Sequence, residues 1–430
     1  MVLPSQPTTT ASHPQTATSQ TTSRRLDYDI VIGGGSIVGL TVACGLKNLG
    51  WKIAIIEPKP QSATAANGQA YAITLLSGKI WQSLGVWQEI LPRINTFREI
   101  RLSDGDYPRF VSFYPEDIGM EAGDRLGYVA EHRVLIEALQ NSLNQADNVT
   151  WLCPAAVEQA TYHSDRVEVA VAAEGSRYTI NARLLVAADG SQSPLRRAAN
   201  IPTHGWKYWQ SCVVATIKPE FPNPHIAYER FRRNGPFAIL PVARDRCRIV
   251  WTAPHQEAQR IASLNDEQFL AEIALQFGNH MGRLQVEGKR MLFPVQLMHS
   301  DRYAGHRLAL VGNAAHACHP VGGQGLNLGI RDAAALAQVL QTAAQNGEDI
   351  GDISVLQRYE RWRKQENWLI LGMTDLLNRV FSNQWLPLVA TRRLVLEAMR
   401  QLQPLKSLSL RMMTGLSGRP PLSVRELLHF

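Results

Sequence analysis

The sequence predicts an α/β protein that carries an inserted antiparallel sheet and ends in a helical region. Three observations predict this class. Near the N-terminus a strand, a glycine turn, a helix and a second strand follow one another within about thirty residues. Between about 207 and 297 short β-type runs follow one another, separated by Pro, Asn, Asp and Gly turns. From 354 onward the pattern is helical.

Size and composition bound the class first. The chain has 430 residues, enough for two or three domains and a large core without disulfide or metal staples. Apolar residues make up 45% and charged residues 19%, the balance of a soluble globular protein rather than a collagen-like, coiled-coil or disordered one. No stretch approaches 18 uninterrupted apolar residues, so no bilayer-spanning helix is expected.

The elements then read in order. Residues 1–25 are rich in Thr, Ser, Pro and Gln, contain no acid and lack the apolar core of a secretory signal. A disordered tail is expected there, and an organelle transit peptide stays open as the alternative. Asp29-Ile30-Val31-Ile32 is a β-branched strand, Gly33-Gly34-Gly35 the turn, Ile37 to Leu49 a helix stopped by Gly50, and Trp51 to Ile56 a second buried strand. Residues 131–146 have an apolar face built by Val134, Leu135, Ala138, Leu139 and Leu143. Val167–Val171, Tyr178–Ile180 and Arg183–Ala188 read as strands. In the inserted region the strands are Cys212–Ile217, Ile226–Phe231, Pro236–Val242 and Arg246–Ala253. Leu308–Val311 is one more apolar strand, and a helix spans about Leu326 to Ala343.

Charge is uneven. Lys and Arg number 44 against 37 Asp and Glu, a net +7. Eight basic and two acidic residues fall in 376–430, so +6 of that excess sits in the last 55 residues. A basic, Leu-rich end suggests anionic lipid or an acidic partner; a solvated helical face is the alternative. Trp385, Leu386, Leu394 and Leu396 are candidates to touch lipid or cover a substrate mouth, against ordinary core packing. No basic cluster sits in a nucleic-acid motif, so nucleic acid is not expected as a partner. The five cysteines, Cys44, Cys153, Cys212, Cys247 and Cys318, form no C-x-x-C pair, and their odd number argues for a reducing compartment such as the cytoplasm. Cys318 beside His319 is too small a cluster for zinc, and no metal is expected.

Three stretches carry chemistry. The first is Gly34-x-Ser36-x-x-Gly39, with Gly35 inside it, followed by Glu57 at the end of the second strand. Glycines allow a tight bend and close backbone approach to a pyrophosphate, helix N-terminal amides meet its charge, and an acid after the second strand binds ribose hydroxyls. The second is Asp189-Gly190, after a buried strand, running into Ser193 and Arg196. The third runs from Ala309 through Gly312, Asn313, His316, Pro320, Gly322, Gly323, Gln324, Gly325, Leu326 and Asn327 to Asp332 and Ala333. There a strand leads into small-residue and Pro/Gly loops that let backbone approach a ligand, then into a helix start. His316 and His319 have acid/base chemistry available, with loop packing as the other reading of His316. Asp332 reads as a helix cap or anchor.

In this order and spacing the three stretches resemble the flavin-dependent aromatic hydroxylases of the para-hydroxybenzoate hydroxylase class, and most of all the ubiquinone-biosynthesis hydroxylases, over roughly residues 28–420. The resemblance implies a glutathione-reductase-type FAD-binding domain from 26–97, 121–200 and 298–345. It implies a substrate sheet from 98–120 and 201–297, and a basic helical region over 346–430. Gly34, Gly35, Ser36, Gly39 and Glu57 would hold the ADP part of FAD. Asp189 and Gly190 would serve FAD and a transient NAD(P)H, Gly312 and Asn313 the ribityl and phosphate. Pro320, Gly323, Gln324, Gly325, Leu326 and Asn327 would lie along the isoalloxazine, with His319 and Pro320 lining the active site. Arg133, in Glu131-His132-Arg133-Val134-Leu135, would approach the FAD phosphates. The implied reaction is flavin reduction by NAD(P)H, capture of O₂ as a flavin C4a-hydroperoxide, and oxygen transfer to the ring of a polyprenylated phenol. No protein nucleophile is implied. A homo-oligomer or a quinone-biosynthesis complex, and peripheral membrane contact through the basic end, are compatible partners.

Departures from the pattern are specific. Ser36 replaces a glycine, Asn313 stands where many relatives carry Asp, and Gln69 sits where an Arg that helps hold the cofactor is usual. Two other classes stay open: a lipid-directed flavin oxidoreductase such as a prenyl reductase or epoxidase, and a non-catalytic flavoprotein scaffold.

Overall fold

The computed structural model describes residues 26–66, 68–105, 107–242 and 245–428; the N-terminal segment 1–25 lies outside the described residues. An eight-stranded sheet forms the base. Its main path runs Ala304–Gly305, Leu308–Leu310, Ser176–Ala187, Tyr28–Gly33, Ile53–Ile56, Val149–Leu152. The four pairings that join Leu308–Leu310 through Val149–Leu152 are all parallel. The central strands are buried on both faces, which is why they read as unbroken apolar runs. Helices Ile37–Leu46 and Gln324–Gln345 pack on one another beside it.

Tyr178–Ile180 and Arg183–Ala188, read as two strands, are one strand, Ser176–Ala187. Its first half pairs antiparallel with Val167–Ala173 and its second half parallel with Tyr28–Gly33, so a single strand serves two neighbours.

The inserted sheet also has eight strands, in the order His316–Ala317, Leu284–Ser300, Thr203–Pro219, Arg246–Pro254, Phe237–Val242, Ile226–Phe231, Glu99–Asp104, Phe110–Phe113. Two features differ from the expectation. The sheet is mixed, because Ile226–Phe231 runs parallel to Glu99–Asp104. A parallel pair needs a long crossover, and the two strands are far apart in sequence. The region also contains two helices, His255–Ser263 and Asp266–Phe277. They bury one face of the sheet, where Val213, Ala215, Phe237, Ile239, Ile249 and Trp251 meet Ala258, Ile261, Phe269 and Ile273.

A small third sheet, Ala70–Thr74, Gly127–Glu131 and Asn95–Phe97, sits between the two large ones. Helices Ile353–Phe381, Leu386–Gln401 and Gln403–Thr414 complete the chain. Much of their positive charge is used internally: Arg392 and Arg393 pair with Asp104, Lys406 with Asp117 and Arg400 with Glu397. The basic end is therefore fastened to the hairpin at 98–120. No described helix is long and apolar enough to cross a membrane.

Candidate active site

The three motif stretches meet at the C-terminal edge of the parallel sheet, the edge at which open α/β sheets bind ligands. Strand Tyr28–Gly33 ends in Gly34, whose φ of +115° suits only glycine; a Cβ there would lie 2.4 Å from the Ala188 carbonyl oxygen. A Cβ on Gly39 would lie 2.0 Å from the Gly34 carbonyl oxygen, so the helix start and the turn are in backbone contact. Ser36 is exposed at the N-cap of helix Ile37–Leu46 with extended backbone, and its side chain caps nothing. The serine thus sits where a side chain has room, and the helix keeps unsatisfied N–H groups aimed past the edge.

Glu57 folds back onto this turn. Its Oε2 accepts the Gly35 N–H at 2.9 Å and its Oε1 the Lys59 N–H at 3.2 Å. Asp189 follows the neighbouring strand. Its Oδ2 accepts the Leu195 N–H at 3.1 Å, while Oδ1 is buried with no partner. Burial raises its pKa against the bonds from Ser193 and Leu195. Gly190 has φ of +87° and open space before it. Arg196 ties this loop to the third stretch, donating to the Ser191 carbonyl at 2.9 Å and the Ala314 carbonyl at 2.8 Å.

The third stretch is held from beneath. Gly312, at φ of +57°, donates its N–H to Asp332 Oδ2 at 3.1 Å, and His316 Nε2 meets the same oxygen at 2.6 Å. Asp332 Oδ1 accepts from Arg363 Nε at 2.8 Å and Asn367 Nδ2 at 3.0 Å. Burial pushes the Asp332 carboxyl up, but His316 and Arg363 outweigh it and hold it well below the usual range. His316 is fully buried in this cluster, which fits loop packing. Asn313 is exposed at the edge.

Beyond it, Gly322 and Gly323 both take positive φ, and a Cβ on Gly323 would lie 3.0 Å from that of Ala72. Asn327 clamps the strand Ala70–Thr74: it donates to the Ala72 and Gly323 carbonyls at 2.9 and 2.8 Å and accepts from Thr74 N at 2.9 Å. Both amide hydrogens and the side-chain oxygen are thus used within the protein. Gln324 donates to the Gly322 and Met413 carbonyls, leaving a buried Oε1 without a partner. Pro320, Gly325 and Leu326 are half-buried along this loop. His319 Nδ1 accepts the Val321 N–H at 3.3 Å, which places the ring proton on Nε2; that atom is buried and unpartnered. Burial pushes His319 down to about 3, so the ring is neutral. Tyr208 meets it edge-on at 5.1 Å and donates its hydroxyl to Asp375 at 2.6 Å.

Two expected residues are engaged within the protein. Arg133 is largely exposed and pairs with Glu137 of its own helix. Gln69 accepts from the Tyr71 hydroxyl, which also lies 3.2 Å from His132 Nδ1. His132 Nε2 lies 2.9 Å from the Thr64 carbonyl, and burial lowers its pKa.

Sequence reasoning missed Arg248 and Glu229. Arg248, on strand Arg246–Pro254, is buried, donates to the Gly68 carbonyl at 2.9 Å and leaves Nε without a partner. A guanidinium from the inserted sheet thus stands beside Gln69. Glu229 lies on the face of that sheet opposite the two helices. The signal in each case was a charged residue inside a buried β run.

The glycine cradle, the poised Glu57 and the buried unpartnered atoms of Asp189 and Gln324 fit a dinucleotide-type cofactor. Comparisons with known proteins agree. A family model described as FAD binding domain matches residues 27–373. An uncharacterized protein of Synechocystis is 51% identical over 394 residues, covering 92% of this chain and 94% of that one. Ubiquinone hydroxylase UbiL of Rhodospirillum rubrum is 36% identical over 422 residues, covering 96% and 97%. The crystal structure of p-nitrophenol 4-monooxygenase PnpA from Pseudomonas putida shares the fold, with a TM-score of 0.77 at 17% identity over 91% of this chain and 98% of that one.

Proposed function

Because the chain belongs to the FAD-dependent aromatic monooxygenases of the para-hydroxybenzoate hydroxylase class, related to the ubiquinone-biosynthesis hydroxylases, we propose that it hydroxylates the ring of a polyprenylated phenol on the way to ubiquinone or a related quinone. FAD is its cofactor, and NAD(P)H is the reductant typical of the family. The observation that carries the reading is the meeting of the three motif stretches at one sheet edge, where Gly39 abuts Gly34, Gly34 abuts Ala188, and Arg196 joins the Ser191 and Ala314 carbonyls.

In this reading 26–97, 121–200 and 298–345 form the cofactor domain. The Gly34–Gly39 turn and the helix at Ile37 receive the diphosphate, Glu57 the ribose, and Asp189, Gly190, Gly312 and Asn313 the remaining polar parts. The loop from Pro320 to Leu326 receives the ring system, with Asn327 fixing its shape. Arg248 supplies the cation that Gln69 does not. Bound FAD supplies reduction by NAD(P)H and activation of O₂; the protein orients the phenol and excludes water. Val214, Leu240 and Val250 on the inserted sheet suit a hydrocarbon-bearing ring. Trp385, Leu386 and Leu394, 67%, 80% and 71% exposed, make peripheral membrane contact in this reading, whereas Leu396 is buried.

The test is anaerobic flavin reduction by NADPH or NADH with and without a prenylated phenol, followed by isotope-labelled O₂. Large acceleration by the phenol and label in the product ring are expected. Reduction indifferent to phenol, with no ring oxygen, refutes the hydroxylase and favours the prenyl reductase or epoxidase.

A further inference from the structure

The inserted sheet has two unlike faces. One is closed by the helices His255–Ser263 and Asp266–Phe277. On the other, strand register sets Leu102, Glu229, Ala238, Val250 and Val214 in one row across five strands. The next row carries Leu240 beside Arg248. Glu229, Leu240, Val250 and Val214 keep accessible surface although the strands around them are buried. In the hydroxylase reading this accessible, mostly apolar face is the wall of the substrate chamber.

Glu229 is the one acid in that row, and its carboxylate has no hydrogen-bond or ion-pair partner among the described residues. An unpaired carboxylate in apolar surroundings is strongly disfavoured, and burial pushes its pKa up to about 7. The groups around it do not relieve this. The neighbouring Cys212 thiol is pushed up by burial to about 12 and stays neutral. Arg248, one row away, is bound to Gly68. Asp104, at the rim of the face, is paired with Arg392 and Arg393. Arg101 turns to the opposite face, against the Tyr228 ring. Arg248 Nε on this face has no partner among the described residues, and the Thr252 hydroxyl has only the neighbouring Cys212 thiol, so the wall offers polar groups to a ligand.

We propose that Glu229 is the base that removes the phenolic proton of the ring substrate. The assignment rests on the hydroxylase reading. The phenol O–H bond breaks, its proton forms an O–H bond on a Glu229 carboxylate oxygen, and the electron pair stays on the ring oxygen. No oxidant or reductant takes part in this step. The resulting phenolate is the more electron-rich ring for oxygen transfer, and the Arg248 guanidinium lies on the same face, two strands along and one row away. A carboxyl that titrates near the working pH is suited to this task.

The experiment compares wild-type and Glu229→Gln holoenzymes on two phenols, one of ordinary acidity and one polyfluorinated and already ionised at the assay pH. Flavin content and visible spectrum should match in the two proteins. Glu229→Gln should slow phenol-stimulated turnover on the ordinary phenol by about 100-fold or more and on the fluorinated phenol by only a few-fold. The acid limb of the kcat/KM profile should vanish, and Glu229→Asp should restore part of it. Equal losses on both phenols, or an unchanged pH profile, overturn the assignment while leaving the hydroxylase intact. A wild-type flavin that ignores both phenols overturns the hydroxylase reading and this assignment with it.

Discussion

Asp332→Asn tests how the Gly312 loop is held. Asp332 accepts from four groups at once: Gly312 N, His316 Nε2, Arg363 Nε and Asn367 Nδ2. Asparagine keeps the shape but turns an NH₂ toward donors and leaves Arg363 with only Glu366 as a charged partner. Removing one partner of a buried ion pair costs roughly 3–5 kcal/mol. The surviving Glu366 contact argues for the lower end, about 3 kcal/mol. With a urea m-value of about 3 kcal/mol per molar, the unfolding midpoint should fall by about 1 M. The sign with pH follows from the depressed carboxyl: its contribution is present above the ordinary value of 3.8 and is lost as pH falls through the lower folded value. The gap between wild type and variant should therefore be constant from about pH 5 to 8 and close in strong acid. A midpoint shift below about 0.3 M, equivalent to about 1 kcal/mol, or a gap that persists in strong acid, refutes the reasoning.

Glu229→Gln should show the opposite pH sign. Its raised pKa means that wild-type stability is lost as pH rises from the ordinary 4.5 to about 7. The variant should gain about 3 kcal/mol over wild type between pH 4 and pH 8, read by urea unfolding of the apoprotein; parallel curves would contradict this. Gly39→Ala places a methyl 2.0 Å from the Gly34 carbonyl oxygen, so the turn must open. FAD affinity, measured by ultrafiltration, should fall at least about tenfold with the circular dichroism of the fold retained; unchanged affinity would remove the turn from the cofactor site. The double substitution Leu386→Ser and Leu394→Ser should weaken co-sedimentation with anionic vesicles more than about tenfold, since each exposed leucine is worth roughly 2 kcal/mol when buried. Equal binding would place the membrane contact elsewhere or remove it.

The cofactor edge was legible in the sequence because its signals are local. A parallel strand buried on both faces is an apolar run, and the turn after it needs glycine where φ is positive, as at Gly34 and Gly312. Helices His255–Ser263 and Asp266–Phe277 were not legible, because they bury only Ala258, Ile261, Phe269 and Ile273 against the sheet. So few apolar positions leave a weak 3.6-residue period. Glu229 and Arg248 were hidden for a different reason. Which way a strand residue faces depends on register, and Glu229 lies opposite Leu102, more than a hundred residues earlier. A charged residue in a β run reads as solvent-facing until the pairing shows which face the helices cover.

The basic C-terminal region connects these two levels. Read alone, its charge points outward to lipid. In the fold, Arg392 and Arg393 reach Asp104, which occupies the same strand and the same face as Leu102, next to Glu229. Phe381 stacks on Phe231 at 4.0 Å, one step along the Glu229 strand. The C-terminal helices therefore cover this face at the end where Glu229 stands, and Arg392, Arg393 and Lys406 are matched to the acids of the 98–120 hairpin. Three of the eight positive residues of this segment thus seat the C-terminal helices on the 98–120 hairpin. Trp385, at the N-cap, and Leu386 and Leu394 stay exposed on the outer side of the helix whose Arg392 is buried in that seat. One helix thus presents charge inward and hydrocarbon outward. Under the function proposed above, that arrangement suits an entrance for a phenol that carries a hydrocarbon chain, and it follows from the register of the sheet as much as from the composition of the tail.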